Sequence, residues 1–195
     1  LTATLTAING SLVQDDILTD DSKTIEVTAL KPADGKIVIA EEGTGTWCGW
    51  CPRGTVAMDF MARDFKGYYQ GIAVHNGDPM AVPAYDQDLQ VSGYPSALVD
   101  RGSEIDPGDI KGDFMERILL PPTAIITNGA QQEGDSLHVS LTVNFTTPAS
   151  GNWKIACVLT EDGVSGTSGS YAQSNSYSGG DSGDLIGLDG VNWAD

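Results

Sequence analysis

The sequence predicts an α/β protein: a central sheet flanked by helices, with an N-terminal β-hairpin and a C-terminal antiparallel β extension. Three patterns carry this reading. A continuous apolar run, Ile37-Val38-Ile39-Ala40, is followed by helix-spaced Val56, Ala57, Phe60, Met61 and Phe65, and then by a second run, Gly71-Ile72-Ala73-Val74. Strand, helix and strand in succession imply a right-handed crossover and parallel pairing. Further on, Ile110, Phe114 and Ile118 recur every four residues, and from Leu137 to Phe145 apolar and polar residues alternate without a break.

At the N-terminal end Leu1, Ala3, Leu5 and Ala7 alternate with Thr2, Thr4 and Thr6, the pattern of a half-buried strand. Asn9-Gly10 is a two-residue hairpin signal, and Leu12-Val13 opens the return strand. Past the polar turn Asp20-Asp21-Ser22, Ile25 and Val27 set between Thr24, Glu26 and Thr28 give a further strand. The turn Pro32 to Gly35 then leads into the buried strand. The chain divides accordingly: residues 1–16 as a strand or hairpin, 17–120 as the main α/β domain, and 121–195 as a β-meander with a Gly/Ser/Tyr-rich tail.

Between the first buried strand and its helix stands Trp47-Cys48-Gly49-Trp50-Cys51-Pro52. Two cysteines three apart that open a helix share one side of its first turn, near enough to close a disulfide and reopen it. Pro52 supports the helix start, because an N–H is dispensable there. The positive end of the helix favours a thiolate, so Cys48, nearer the start and expected nearer the solvent, is the candidate nucleophile and Cys51 the resolving thiol. Strand, short loop, cysteine pair and helix is the setting of a redox dithiol. A zinc half-site lacks arithmetic support: four ligands are needed, and Cys157, His75 and His138 stand far apart in sequence. A purely structural bridge is the stronger rival, although so short a loop gains little from chain entropy. Glu42, just upstream, reads in two ways. It is a buried carboxylate of raised pKa that exchanges the proton of the resolving thiol, or one of a solvated pair with Glu41, only one of which can face inward on a strand.

His75 closes the second buried strand, where it is either a proton donor facing the dithiol or a polar residue meeting solvent. Ala81 to Gln90 forms a short helix, Ala97-Leu98-Val99 a short strand after Tyr94-Pro95, and Ser103 to Ile105 an edge strand. Asp106-Pro107 fits an N-cap followed by the first helical residue, and Pro121-Pro122 ends the helix. Ala124 to Thr127, the alternating Leu137 to Phe145, and Trp153, Ile155, Cys157 and Leu159 make a meander of about three strands with one face buried. His138 falls on its polar face and Cys157 on its inner face, as an inert thiol. The Gly-, Ser- and Asn-rich stretch from Val164 is a flexible tail, an ordered loop or a weak calcium site. Tyr171, Tyr177 and Trp193 favour partial order.

The stretch Glu41 to Arg53, reading EEGTGTWCGWCPR, resembles the active-site region of the thioredoxin superfamily. It is most similar to the Omp-twenty-eight-related family of outer-membrane proteins, a thioredoxin-like group of Gram-negative bacteria. Val74 to Met80, Ser92 to Ser96, Val99-Asp100-Arg101 and the stretch Tyr171 to Gly180 extend the likeness. The resemblance implies a thioredoxin-like fold with a central mixed sheet and an N-terminal hairpin placed before the central strand. It implies a cis peptide at Pro95, facing the cysteines, with Tyr94 beside it as a surface for an extended partner chain. It also implies the periplasm or outer membrane, with a lipid anchor, if any, on a segment not present here.

Composition sets the outer limits. A formal net charge of -17, with no Lys or Arg after Lys154, argues against nucleic acid and anionic membrane surfaces as partners. No apolar run reaches the length of a transmembrane helix. Leu1 and the lack of a basic and apolar leader suggest a mature or trimmed chain. The expected function is thiol–disulfide oxidoreductase on cysteine-containing proteins outside the cytoplasm. Cys48 and Cys51 would carry the chemistry, with Gly49, Trp50, Trp47 and Glu42 supporting and Tyr94 and Pro95 holding the partner. No organic cofactor and no metal is expected; the redox-active disulfide is itself the reacting group. The alternative is a surface binding or assembly module that uses the same fold as a scaffold.

Overall fold

The computed structural model describes residues 29–195 throughout, together with strands Thr2–Thr4 (β1) and Ser22–Thr24 (β2). The chain forms two compact units, Leu1–Lys31 and Pro32–Asp195. In the first unit β1 and β2 pair antiparallel, Ala3 opposite Lys23. The expected turn at Asn9-Gly10, the return strand at Leu12-Val13, and Ile25 and Val27 lie outside the described residues.

In the second unit the apolar run becomes β3 (Val38–Thr44), followed by helix α1 (Pro52–Asp64) and strand β4 (Tyr69–His75). Strands β3 and β4 pair in parallel, Val38 with Tyr69 through Thr44 with His75. Helix α2 (Pro83–Leu89) leads to β5 (Ser96–Val99) and the edge strand β6 (Glu104–Ile105). The order β4-β3-β5-β6 makes a mixed four-stranded sheet, with β5 antiparallel to both β3 and β6. A 3₁₀ turn at Pro107–Asp109, capped by the Asp106 carboxylate on the Gly108 N–H at 2.9 Å, opens helix α3 (Ile110–Arg117).

Helices cover both faces of this sheet, and alternation assigns each strand residue to one of them. Val38, Ala40, Ala97 and Val99 pack with Met61 of α1 and Ile110, Phe114 and Ile118 around α3. Leu98 and Val74 pack on the opposite face with Leu89 of α2. Each of these side chains larger than alanine contributes roughly 1.5–3 kcal/mol of burial free energy. A sheet buried on both faces also means that Glu41 and Glu42 are both buried, and the expectation that only one points inward is corrected.

The C-terminal part departs from expectation. Strands β7 (Ala124–Glu133) and β8 (Ser136–Phe145) form an antiparallel hairpin, but Trp153 to Leu159 does not add a third strand. Leu137, Val139, Leu141, Val143 and Phe145 are exposed rather than on a buried face, because no third strand or helix closes over the ribbon among the described residues. Cys157 is an exposed free thiol, not a buried one. No helix among the described residues is long and apolar enough to cross a membrane.

Candidate functional site

Three backbone hydrogen bonds wind the chain from β3 into α1. Cys48 N–H donates to Gly45 O, Cys51 N–H to Cys48 O, and Gly54 N–H to Cys51 O, at 3.0, 3.2 and 2.9 Å. Cys51 becomes the N-cap residue of α1 with Pro52 first in the helix, as the missing N–H of proline favours. This winding places Cys48 and Cys51 with Cα atoms 5.4 Å apart, joined by a disulfide. The bridge therefore stands at the positive end of a thirteen-residue helix, where a thiolate formed by its reduction is stabilised.

Cys48 is 5% exposed and Cys51 not at all, so Cys48 is the cysteine nearer the solvent, although little of it is open. The flanking tryptophans are the exposed members: Trp47 and Trp50 keep about half their surface in water. Trp47 donates its indole N–H to Asn76 O at 2.7 Å and meets Tyr94 edge-on, with ring centroids 5.4 Å apart. The peptide Tyr94-Pro95 is cis, as the resemblance implied. Ser96, the next residue, pairs with Gly43 on β3, and the Tyr94 ring comes within 3.2 Å of where a Cβ on Gly43 would lie. Strand pairing thus brings Tyr94 and Pro95 to the same end of the sheet as the cysteines.

Glu42 lies on the sheet face that packs against α1. It is 2% exposed, and its Oε1 has no hydrogen-bond partner. Burial pushes its pKa up from 4.5 to about 8; the Arg53 charge and the Thr44 hydroxyl work the other way without overcoming it. Glu41, one residue earlier and on the other face, is equally buried but satisfied. Arg101 forks onto both of its oxygens, and the Tyr85 hydroxyl donates to Oε1 at 2.5 Å. One carboxylate is held as an ion pair and its neighbour is held as an acid. Glu42 also lines an open cleft of about 490 Å3 with Thr44, Asp59, Tyr69, His75 and Gln173. His75 sits at the end of β4 with Nδ1 2.7 Å from the Asp78 carboxylate, so its ring is oriented by a local partner.

Two groups of residues escaped the sequence reading. Gly54 is one: a Cβ there would stand 1.8 Å from Glu42 Oε1. A glycine inside a helical pattern is the available signal, since it weakens the helix unless something must come close. Alanine at 54 gains about 1 kcal/mol in helix propensity, whereas forcing a buried carboxyl off its seat costs about 1–3 kcal/mol. The clash outweighs the propensity over most of that range, and Gly54→Ala is expected to lower unfolding free energy by up to about 2 kcal/mol in urea titration. A gain in stability would show that the carboxyl has room to move. The second group is Gln173 to Tyr177, whose contacts reach the motif from the far end of the chain. Gln173 Nε2 donates to Cys48 O at 2.7 Å, and the Tyr177 ring lies edge-on to Trp50 at 5.2 Å.

No family model matches the chain, and no curated protein matches it. Two solved structures are similar in part. HBP35 of Porphyromonas gingivalis is 22% identical at a TM-score of 0.49, over 59% of this chain and 44% of that one. A structural-genomics protein of Agrobacterium tumefaciens is 18% identical at a TM-score of 0.41, over 58% of each chain. The chain spans less than two thirds of either, and the likeness carries no inference about activity.

Proposed function

We propose that this chain is a thiol–disulfide oxidoreductase with a thioredoxin-like fold, related to the Omp-twenty-eight-related family and working outside the cytoplasm on cysteine-containing proteins. The observation that carries the reading is a Cys48–Cys51 disulfide at a helix N-terminus, on the side of the sheet where a buried Glu42, its Oε1 without a hydrogen-bond partner, is held as an acid. A static bridge needs no such carboxyl, and burying one is destabilising.

In the reducing direction Cys48 thiolate attacks one sulfur of a partner disulfide. A Cys48–partner bond forms, the partner's S–S bond breaks, and the second partner sulfur leaves as thiolate. Cys51 then loses its proton, attacks the Cys48 sulfur, and releases the first partner sulfur; the protein ends as the Cys48–Cys51 disulfide and the partner as two thiols. When ionised, Glu42 takes the Cys51 proton; a carboxyl whose pKa is raised to about 8 holds a proton far better than an ordinary glutamate, which makes its carboxylate form a competent acceptor. Tyr94, Pro95, Trp47 and Trp50 form the rim against which the partner segment lies.

Reduction of insulin disulfides in the presence of dithiothreitol tests this directly. Wild type is expected to accelerate it and Cys48→Ser to leave it at the rate of dithiothreitol alone; equal rates would end the reading. The second reading, a binding or assembly module, draws on the low exposure of Cys48. A redox titration against glutathione separates the two. Exchange within the glutathione range supports catalysis, and a bridge that resists it supports a scaffold.

A further inference from the structure

The segment from Ser170 to Tyr177 lies along residues 46 to 50, the stretch that contains the outer cysteine. Thr46 Oγ1 donates to Ser170 O at 2.8 Å, Ser174 N–H to Thr46 O at 2.6 Å, and Ser176 N–H to Gly49 O at 2.9 Å. Gln173 bonds Cys48 O and Tyr177 packs on Trp50, as above. Ser174 and Ser176 donate at alternate positions, as an extended segment does, to carbonyls three residues apart in the turn that holds Cys48. The approach is close: a Cβ on Gly49 would stand 2.0 Å from Ser176 Oγ. Glycine at this position is therefore what lets the segment lie down, in addition to allowing the turn.

We propose that Gln173 to Tyr177 is a built-in competitor for the surface a partner must use, and that disulfide exchange waits on its release. The inference rests on the oxidoreductase reading and adds its regulation and the form of its partner. The partner that displaces the strap is an extended polypeptide segment. It offers backbone N–H groups two residues apart to the carbonyls of Thr46 and Gly49, with an aromatic side chain to lie against Trp50. The strap is held by a few hydrogen bonds and one aromatic pair, within the range of contacts that open locally while a core stays folded. Its sequence, Gln-Ser-Asn-Ser-Tyr, contains no cysteine, so it occupies the surface without reacting.

The test compares the full chain with Gln173→Ala/Tyr177→Ala. Losing the Gln173 side-chain hydrogen bonds to Gly45 O and Cys48 O and the Tyr177–Trp50 aromatic pair is expected to raise the rate of Cys48–Cys51 reduction by dithiothreitol about tenfold or more. Unchanged rates in a folded variant would overturn the strap. Hydrogen exchange of the wild type decides independently of any variant. The amides of Ser174 and Ser176 should exchange about a hundredfold or more faster than that of Ile118 in the core, and exchange of all three only with global unfolding would overturn the idea. If dithiothreitol reduces the variant faster while neither protein reduces insulin, the strap stands and the oxidoreductase reading falls. If both reduce insulin at the same rate, the reading stands and the strap falls.

Discussion

With Cys51 replaced by serine, Cys48 is expected to attack a partner disulfide once and remain bonded to it, so that a mixed disulfide accumulates and turnover stops. Cys48→Ser should give neither turnover nor adduct. The asymmetry follows from position. Cys51 is the N-cap residue of α1 and has no exposed surface, whereas Cys48 lies three residues earlier, in the loop, beside the rim formed by Trp47 and Trp50. Only the outer sulfur can meet a partner in line with the bond to be broken, and the inner one acts within the molecule, where its effective concentration is high. Both variants belong in a Cys157→Ser background, since Cys157 is exposed and would form adducts of its own. Mass spectrometry of the intact protein after incubation with an oxidised peptide reads the result. An adduct on Cys51 in Cys48→Ser, or none on Cys48 in Cys51→Ser, would reverse the assigned roles.

Local chemistry made much of this site legible in the sequence. Pro52 marked the start of α1 and Asp106-Pro107 the turn that opens α3, because proline and a capping carboxylate act within one turn of themselves. The cysteine pair, the strand before it and the parallel strand after its helix were legible for the same reason. What failed was long-range. Trp153, Ile155, Cys157 and Leu159 alternate as well as β8 does, but alternation records which side chains suit a strand and says nothing of an edge to pair with. Alternation alone turns only one of Glu41 and Glu42 inward; helices on both faces of the sheet bury both residues. The burial of Cys48 was out of reach in the same way, since Gln173, which bonds its carbonyl, is 125 residues further on.

Glu42→Gln is expected to make the protein more stable and less active at once. Below pH 4.5 the carboxyl is protonated whether the chain is folded or not, and its burial as a neutral acid carries no ionisation penalty. Between 4.5 and about 8 the unfolded chain gives up the proton while the folded protein keeps it, so the unfolded state binds fewer protons and stability falls as pH rises. The fall is about 1.4 kcal/mol for each pH unit, or about 3 kcal/mol by pH 7, and levels off above 8. Glutamine has the same shape and never ionises. Urea unfolding should therefore show the variant more stable by about 2–3 kcal/mol at pH 7 and the two nearly equal at pH 4. Equal stabilities at pH 7 would mean that Glu42 ionises as freely folded as unfolded. The price appears in resolution: about a tenth of Glu42 is ionised at pH 7, so without that carboxylate Cys51 should attack the mixed disulfide about tenfold more slowly there. The wild-type rate should rise with pH as Glu42 ionises through about 8, and the variant should lack that rise. Stopped-flow measurement of mixed-disulfide decay across this range tests it, and an unchanged rate at pH 7 would place the proton acceptor of Cys51 elsewhere.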